Sequence, residues 1–318
     1  VFPDQEKDKR AYYSVMYSVP EELLEILERD YDYETIDRIL ASGDSDRPTA
    51  IRVNTEKISV TAFSEKLRQN GITVERGSMN DTSLLISGYD YIRKVPGFFD
   101  GEFVVQDQSS CLAVKAAGIN EGDLVVDVCA APGGKTMYAA MLTGSEGHVI
   151  SRDLIDKKTE LIEENIERLG LSNVTVQVHD AREFDEELTG KADVVIADLP
   201  CSGLGIMGRK NDIKYHVSME SVKELAQLQR EILDTVCRYV KPGGTLVYST
   251  CTIDSIENDE NAVWFADTHD FSLCGIDDVV PEHGGERGFV TLHQGIDECD
   301  GFFISKFRAD SNNQIGQE

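Results

Sequence analysis

From residue 101 onward, five short apolar runs alternate with helix-patterned stretches, and each run ends close to an aspartate or a cysteine. The runs are 123–128, 148–153, 174–178, 192–197 and 245–250, and the residues at their ends include Cys129, Asp153, Asp180, Asp198 and Cys251. A run as short and apolar as 123–128 is expected to form a strand buried on both faces. Helical patterns at 135–142, 156–169, 219–240 and 257–267 separate them, and 302–307 supplies a closing strand. This order predicts a doubly wound α/β sheet. Ligands of such sheets sit beyond the carboxyl ends of the strands, where these polar residues fall.

Residues 1–100 read differently. A helix is expected over 19–41, a turn at 43–48, a strand over 49–54, a helix over 60–70, and short strands at 72–75 and 83–86. The pattern predicts a small α+β domain over 1–100, a large domain over 101–308 and a flexible tail over 309–318. No run of about 18 apolar residues occurs, so no membrane-spanning helix is expected. The seven cysteines are odd in number and unpaired in spacing, which points to free thiols in a reducing cytoplasm. Neither C-x-x-C nor H-x-x-x-H occurs, so no metal site is expected.

The sequence Cys129-Ala130-Ala131-Pro132-Gly133-Gly134-Lys135 follows the first apolar run and opens a helix. A Walker loop would need glycine at 129, and a dinucleotide fingerprint would need separated glycines, so both patterns fail. What remains is a tight loop able to hold an adenosine-type ligand without a pyrophosphate. Asp153 lies 19 residues beyond Gly134, a spacing suited to ribose hydroxyls. Asp180 suits an adenine amino group. With Asp198 these make three strand-end carboxylates, which suit a ligand carrying an amine and a sulfonium and disfavour a polyphosphate. Two cysteines, Cys201 in Asp198-Leu-Pro-Cys-Ser-Gly203 and Cys251 in Tyr248-Ser-Thr-Cys251, follow neighbouring strands. Both thiols are therefore expected to face one substrate.

Together, Arg52-Val-Asn-Thr55, Gln106-Asp-Gln-Ser-Ser110, Asp127–Thr136, Asp198–Gly203, Asn211-Asp-Ile-Lys214, Tyr248–Cys251, Glu257-Asn258 with Glu260-Asn261, and Asp300-Gly-Phe-Phe303 form a specific set. In these motifs the chain resembles the RNA 5-cytosine methyltransferases of the NOL1/NOP2/Sun type, over roughly residues 20–307. The resemblance implies a Rossmann-like, S-adenosylmethionine-dependent methyltransferase sheet preceded by a small RNA-binding domain. It implies that residues 129–135, Asp153, Asp180 and Asp198 bind S-adenosylmethionine. It implies Cys251 as nucleophile and Cys201 as the release thiol, with Asp198 serving the base edge of cytosine. DNA cytosine methyltransferases use the Pro-Cys thiol as nucleophile, so the opposite assignment stays open. Lys135 is open too, between bonding its own loop and approaching the cytosine. One departure is Leu199, where the family commonly has alanine or proline.

The implied substrate is small-subunit ribosomal RNA, with tRNA as an alternative and a non-catalytic assembly factor as another. A monomer without metal or membrane contact is expected. Related bacterial chains start with a NusB-like helical domain, which is expected to precede this one. A net charge of −27 opposes RNA binding by the molecule as a whole. Between Arg47 and Lys94, however, eight basic residues face five acids. Arg52, Arg68 and Arg93 in that stretch are expected to dock RNA.

Overall fold

The computed structural model describes residues 2–43 and 47–311. The chain opens with α1 (Lys9–Tyr17), α2 (Glu21–Glu28) and α3 (Tyr33–Ser42). Next come β1 (Thr49–Val53), α4 (Val60–Gln69), β2 (Thr73–Arg76), β3 (Ser83–Ser87) and β4 (Phe103–Val105). The larger half holds α5 (Gln108–Ala117), β5 (Leu124–Asp127), α6 (Gly134–Thr143), β6 (His148–Asp153), α7 (Asp156–Leu169) and β7 (Val174–Val178). It continues through β8 (Ala192–Asp198), α8 (Met219–Val236), β9 (Val240–Thr250) and α9 (Asp259–Thr268). It ends with β10 (Phe271–Leu273), β11 (Phe289–Leu292) and β12 (Phe302–Ala309).

The large sheet has the order β10-β12-β9-β8-β5-β6-β7, with β11 beside β12. Strands β5 to β9 run parallel, and β12 returns antiparallel to β9. The doubly wound expectation therefore holds. β5 has β6 on one side and β8 on the other, so the chain reverses its winding at β5 and opens a crevice above it. Cys111, Leu112 and Val114 of α5 pack with Val125, Val194 and Val247 on one face. Ile232 and Leu233 of α8 and Phe265 of α9 pack with Val126, Val195 and Leu246 on the other. Alternate residues of one strand thus enter two cores.

The small sheet, β2-β3-β1-β4, is antiparallel and covers its own core of Ile51, Phe63, Leu67, Ile86 and Phe103. It runs past the expected boundary at residue 100, because β4 pairs with β1 from Ile51↔Val105 to Val53↔Phe103. The first three helices do not join that core. Tyr13, Leu23, Leu24, Ile36 and Ile39 pack instead with Leu204, Met207 and Ile253 of the large half.

The helix expected over 19–41 is two helices. Its break is held by Ser255, whose backbone N–H and hydroxyl donate to Asp30 at 3.0 and 2.7 Å, while Asp32 caps α3 through the N–H of Thr35. α5 shows no helical period in the sequence because it is buried on nearly every side. Residues 241–244, which follow the helical pattern 219–240, lie within β9 beside a register shift opposite Ala192 and Val194. Ala309 of the expected tail ends β12, and residues 312–318 lie outside the described residues, as do residues 44–46 of the expected turn. Among the described residues no helix is long and apolar enough to cross a membrane, and all seven cysteines are free.

Candidate active site

β5 delivers Asp127 to the crevice, and residues 129–133 then turn sharply into α6. Gly133 caps that helix at φ +100°, a conformation that a side chain would strain. The loop is tied to β6 at two points. The Ala130 N–H donates to the Arg152 carbonyl at 2.8 Å, and the Ala131 N–H donates to the Asp153 carboxylate at 3.2 Å. The cleft beside it holds about 200 Å³. Cys129, Ala130, Ala131, Pro132, Gly134, Lys135 and Asp198 line it, with Gln106, Asp107 and Ser110 opposite. Of the remaining expected residues, Gly133 serves as helix cap and Asp153 braces the loop. Asp180 is turned to Arg182, which donates to it at 2.7 Å and holds its carboxyl below the ordinary range.

Asp127, the first residue of the 127–136 motif, sits in the wall of this cleft. It is fully buried. Its Oδ2 accepts from the Thr136 hydroxyl at 2.7 Å, and that hydroxyl also meets Ser151 at 2.8 Å. Its Oδ1 has no hydrogen-bond partner among the described residues. Burial pushes its carboxyl up to about 7. An aspartate at the last position of the strand feeding a glycine loop was the available signal.

Arg52 is 1% exposed and cannot meet RNA, so that expectation is corrected. Its guanidinium donates to Gln106 at 2.8 Å and lies over the Tyr138 ring at 4.3 Å. In this way it joins β1 to the cleft wall. Arg47 is engaged as well, bound with Arg209 to Asp300 at 2.8 and 3.2 Å. Arg68, Arg76, Arg93 and Lys94 remain exposed.

The two thiols follow adjacent parallel strands, Cys201 after β8 and Cys251 after β9. Their sulfurs are 3.2 Å apart. The hydrogen bond from Cys201 draws the Cys251 thiol below its ordinary value, with further help from Lys135 and Lys210, while the same contact and burial push Cys201 well up. Of the two thiols, Cys251 is therefore the more readily ionised. Lys135 bonds neither its own loop nor open solvent. Its ammonium pairs with Asp198 at 2.7 Å and lies over Phe302 at 5.0 Å. The Ser249 hydroxyl donates to the other Asp198 oxygen at 2.8 Å, so Asp198 links the loop to the thiols.

A buried polar layer fixes the thiol-bearing turns. Gln229 donates to the Pro200 carbonyl at 2.9 Å, and the Ser202 N–H donates to Glu257 at 3.0 Å, so both peptides flanking Cys201 are held. Thr250 donates to Asn258 at 2.6 Å, and Asn258 donates to the Thr252 carbonyl at 3.0 Å, which brackets Cys251. Glu257 and Asn258 appeared in the sequence only as matching motif letters. Nothing in their periodicity marks them as supports.

Two family models match this chain. "16S rRNA methyltransferase RsmB/F" covers residues 115–308, and "Methyltr_RsmF/B-like, ferredoxin-like domain" covers residues 19–90. The chain is 37% identical to the probable ribosomal RNA small subunit methyltransferase B of Bacillus subtilis, over 92% of this chain and 66% of that protein. It is 32% identical to the ribosomal RNA small subunit methyltransferase F of Escherichia coli, over 86% of this chain and 60% of that protein. Among solved structures it is similar to a methyltransferase homolog protein from Pyrococcus horikoshii, with a TM-score of 0.82 and 25% identity, over 96% of this chain and 100% of that one. The chain thus spans 60–66% of the length of these curated relatives.

Proposed function

The chain belongs to the 16S rRNA methyltransferase RsmB/F family, and from that premise we propose that it methylates carbon 5 of a cytosine in small-subunit ribosomal RNA, through a transient bond between Cys251 and carbon 6. The observation that carries the reading is the pair of sulfurs 3.2 Å apart beside a cleft for an adenosine-type ligand.

The cleft fits S-adenosylmethionine. Asp127 Oδ1 is a buried acceptor without a protein donor among the described residues, which suits the ligand's ammonium. Asp153 suits the ribose hydroxyls, Asp180 the adenine edge, and residues 129–135 admit the ligand close to backbone. When bound, S-adenosylmethionine supplies an electrophilic methyl group.

Cytosine carbon 5 is too weak a nucleophile to take that methyl unaided. The Cys251 thiolate bonds to carbon 6, and the electrons of the ring double bond become available at carbon 5. The Asp198 carboxylate accepts from the cytosine amino group and keeps the ring oriented. As Cys251 bonds to carbon 6, the proton on Cys201 passes to the ring, where negative charge has gathered. After methylation the Cys201 thiolate takes the carbon 5 proton, the ring double bond re-forms, Cys251 departs as thiolate and the ring releases its extra proton to solvent. Mass-spectrometric mapping of 5-methylcytosine in small-subunit RNA, with and without the protein, tests the reading. Loss of one modified cytosine is expected. A site lost from tRNA instead would move the substrate, and no lost site would remove the function.

Two further results are expected. Asp127→Asn should weaken binding of S-adenosylhomocysteine, which carries the same ammonium, by roughly ten- to a hundred-fold in calorimetric titration. The sign with pH follows from a carboxyl raised to about 7. Below that pH the empty site holds a proton that the ammonium must displace, so wild-type affinity should fall as pH drops from 8 to 6. The variant should not show that slope. Arg68→Ala and Arg93→Ala should each lower the slope of log K against log salt for RNA by about 0.7–0.9. Arg52→Met should leave the slope unchanged, since its guanidinium is enclosed.

A further inference from the structure

Two cysteines whose sulfurs touch can share one proton either way, and something must bias its position. The surroundings of the pair are unequal. Near Cys201 lies Glu257, fully buried in the turn that leads into α9. Its Oε2 accepts from the N–H of Ser202, the residue next to Cys201, at 3.0 Å, and from Gln229 at 2.9 Å. Its Oε1 has no hydrogen-bond partner among the described residues. The cations that favour ionisation of Cys251 are Lys135 and the exposed Lys210, whose backbone is tied through Ile206 to the turn that bonds the Cys251 carbonyl.

Hydrogen bonding alone does not explain a carboxylate here. The oxygen of a glutamine would receive the Ser202 and Gln229 donors equally well. Enclosing a charge beside an empty acceptor is costly unless the charge has a task. We infer that Glu257 is a positioning residue that selects the nucleophile, its negative charge keeping the shared proton on Cys201 and so leaving Cys251 as the thiolate. The inference rests on the proposed role of Cys251. The other charged groups nearby are accounted for. Asp198 opposes ionisation of Cys251 but is paired with Lys135, and Asp254, which faces Glu257, is bound to Arg29 at 2.8 Å. Burial pushes Glu257 up to about 7, so its charge is present above that pH and lost below it.

The test is alkylation of the intact chain by iodoacetamide, with peptide mass mapping of Cys201 and Cys251. At pH 8, wild-type protein should be labelled at Cys251 over Cys201 by about ten-fold or more, equivalent to one unit of separation between the thiols. In Glu257→Gln that preference should shrink to within about three-fold. S-adenosylhomocysteine titration checks that the variant is folded. An unchanged preference in the folded variant overturns the inference. The wild type provides a second reading that needs no variant. Its preference for Cys251 should grow between pH 6 and pH 8 as Glu257 ionises, and a flat ratio overturns the inference. Wild-type labelling chiefly at Cys201 would instead overturn the nucleophile assignment itself.

Discussion

Replacing Cys251 by alanine should abolish both methyl transfer and the covalent protein–RNA adduct, with a loss on the order of 10⁴-fold or more in turnover. The size of the effect follows from the chemistry. Without a sulfur at carbon 6, carbon 5 of the base never becomes nucleophilic, and no neighbouring side chain can substitute at the same atom. Cys201 is only 3.2 Å away, but the bond to Cys251 and burial hold its thiol well above the ordinary value, so it ionises less readily. Cys201→Ala should give the opposite phenotype on a denaturing gel. The adduct should form, persist and accumulate, because the carbon 5 proton has lost its acceptor. Trapping by Cys251→Ala with none by Cys201→Ala would exchange the two roles.

The second large effect is expected at Gly205. Its N–H donates to the Cys251 carbonyl at 3.0 Å, and its own carbonyl accepts from the Gly301 N–H at 2.8 Å. Three backbones therefore meet at one point. A Cβ on Gly205 would lie 2.0 Å from the Gly301 carbonyl oxygen and 2.9 Å from that of Cys251. Neither neighbour is a flexible side chain, so the backbone itself must move. Gly205→Ala should cost about 3 kcal/mol or more, a drop in melting midpoint of roughly 5–10 °C. The displaced strand end is the one that carries Cys251, so methyl transfer should fall even at temperatures where the variant is folded. A thermal melt and a transfer assay matching wild type would show that the meeting point tolerates a methyl group.

Both predictions concern residues of very different visibility. Cys251 stands at the end of an apolar run, in a motif, and could be named from the order of letters. Gly205 could not, since its constraint comes from Gly301, nearly a hundred residues away, and from a carbonyl oxygen, which every residue has. Asp127 was in plain view as a letter, but its unpartnered oxygen follows from burial. Arg52 looked like an RNA contact because a lysine or arginine in a basic stretch is normally at the surface. The stacking of Tyr138 and the acceptor on Gln106 are what make its burial tolerable, and neither is a neighbour in sequence. α5 was missed for the same kind of reason, since a helix enclosed on all sides loses the alternation that marks one half in water.

Local order along the chain was sufficient to determine the alternating sheet, the glycine loop entering α6 and the two thiols at neighbouring strand ends. Each depends on periodicity or on residue types a few positions apart, which short-range backbone geometry reads directly. Which thiol ionises more readily, which carboxylate oxygen in the cleft wall is left unpaired and which arginine is enclosed were decided only by the assembled tertiary structure. Those outcomes depend on burial and on charges brought within a few ångströms by strands and helices remote in sequence, and electrostatic energy follows distance and dielectric surroundings, not chain position.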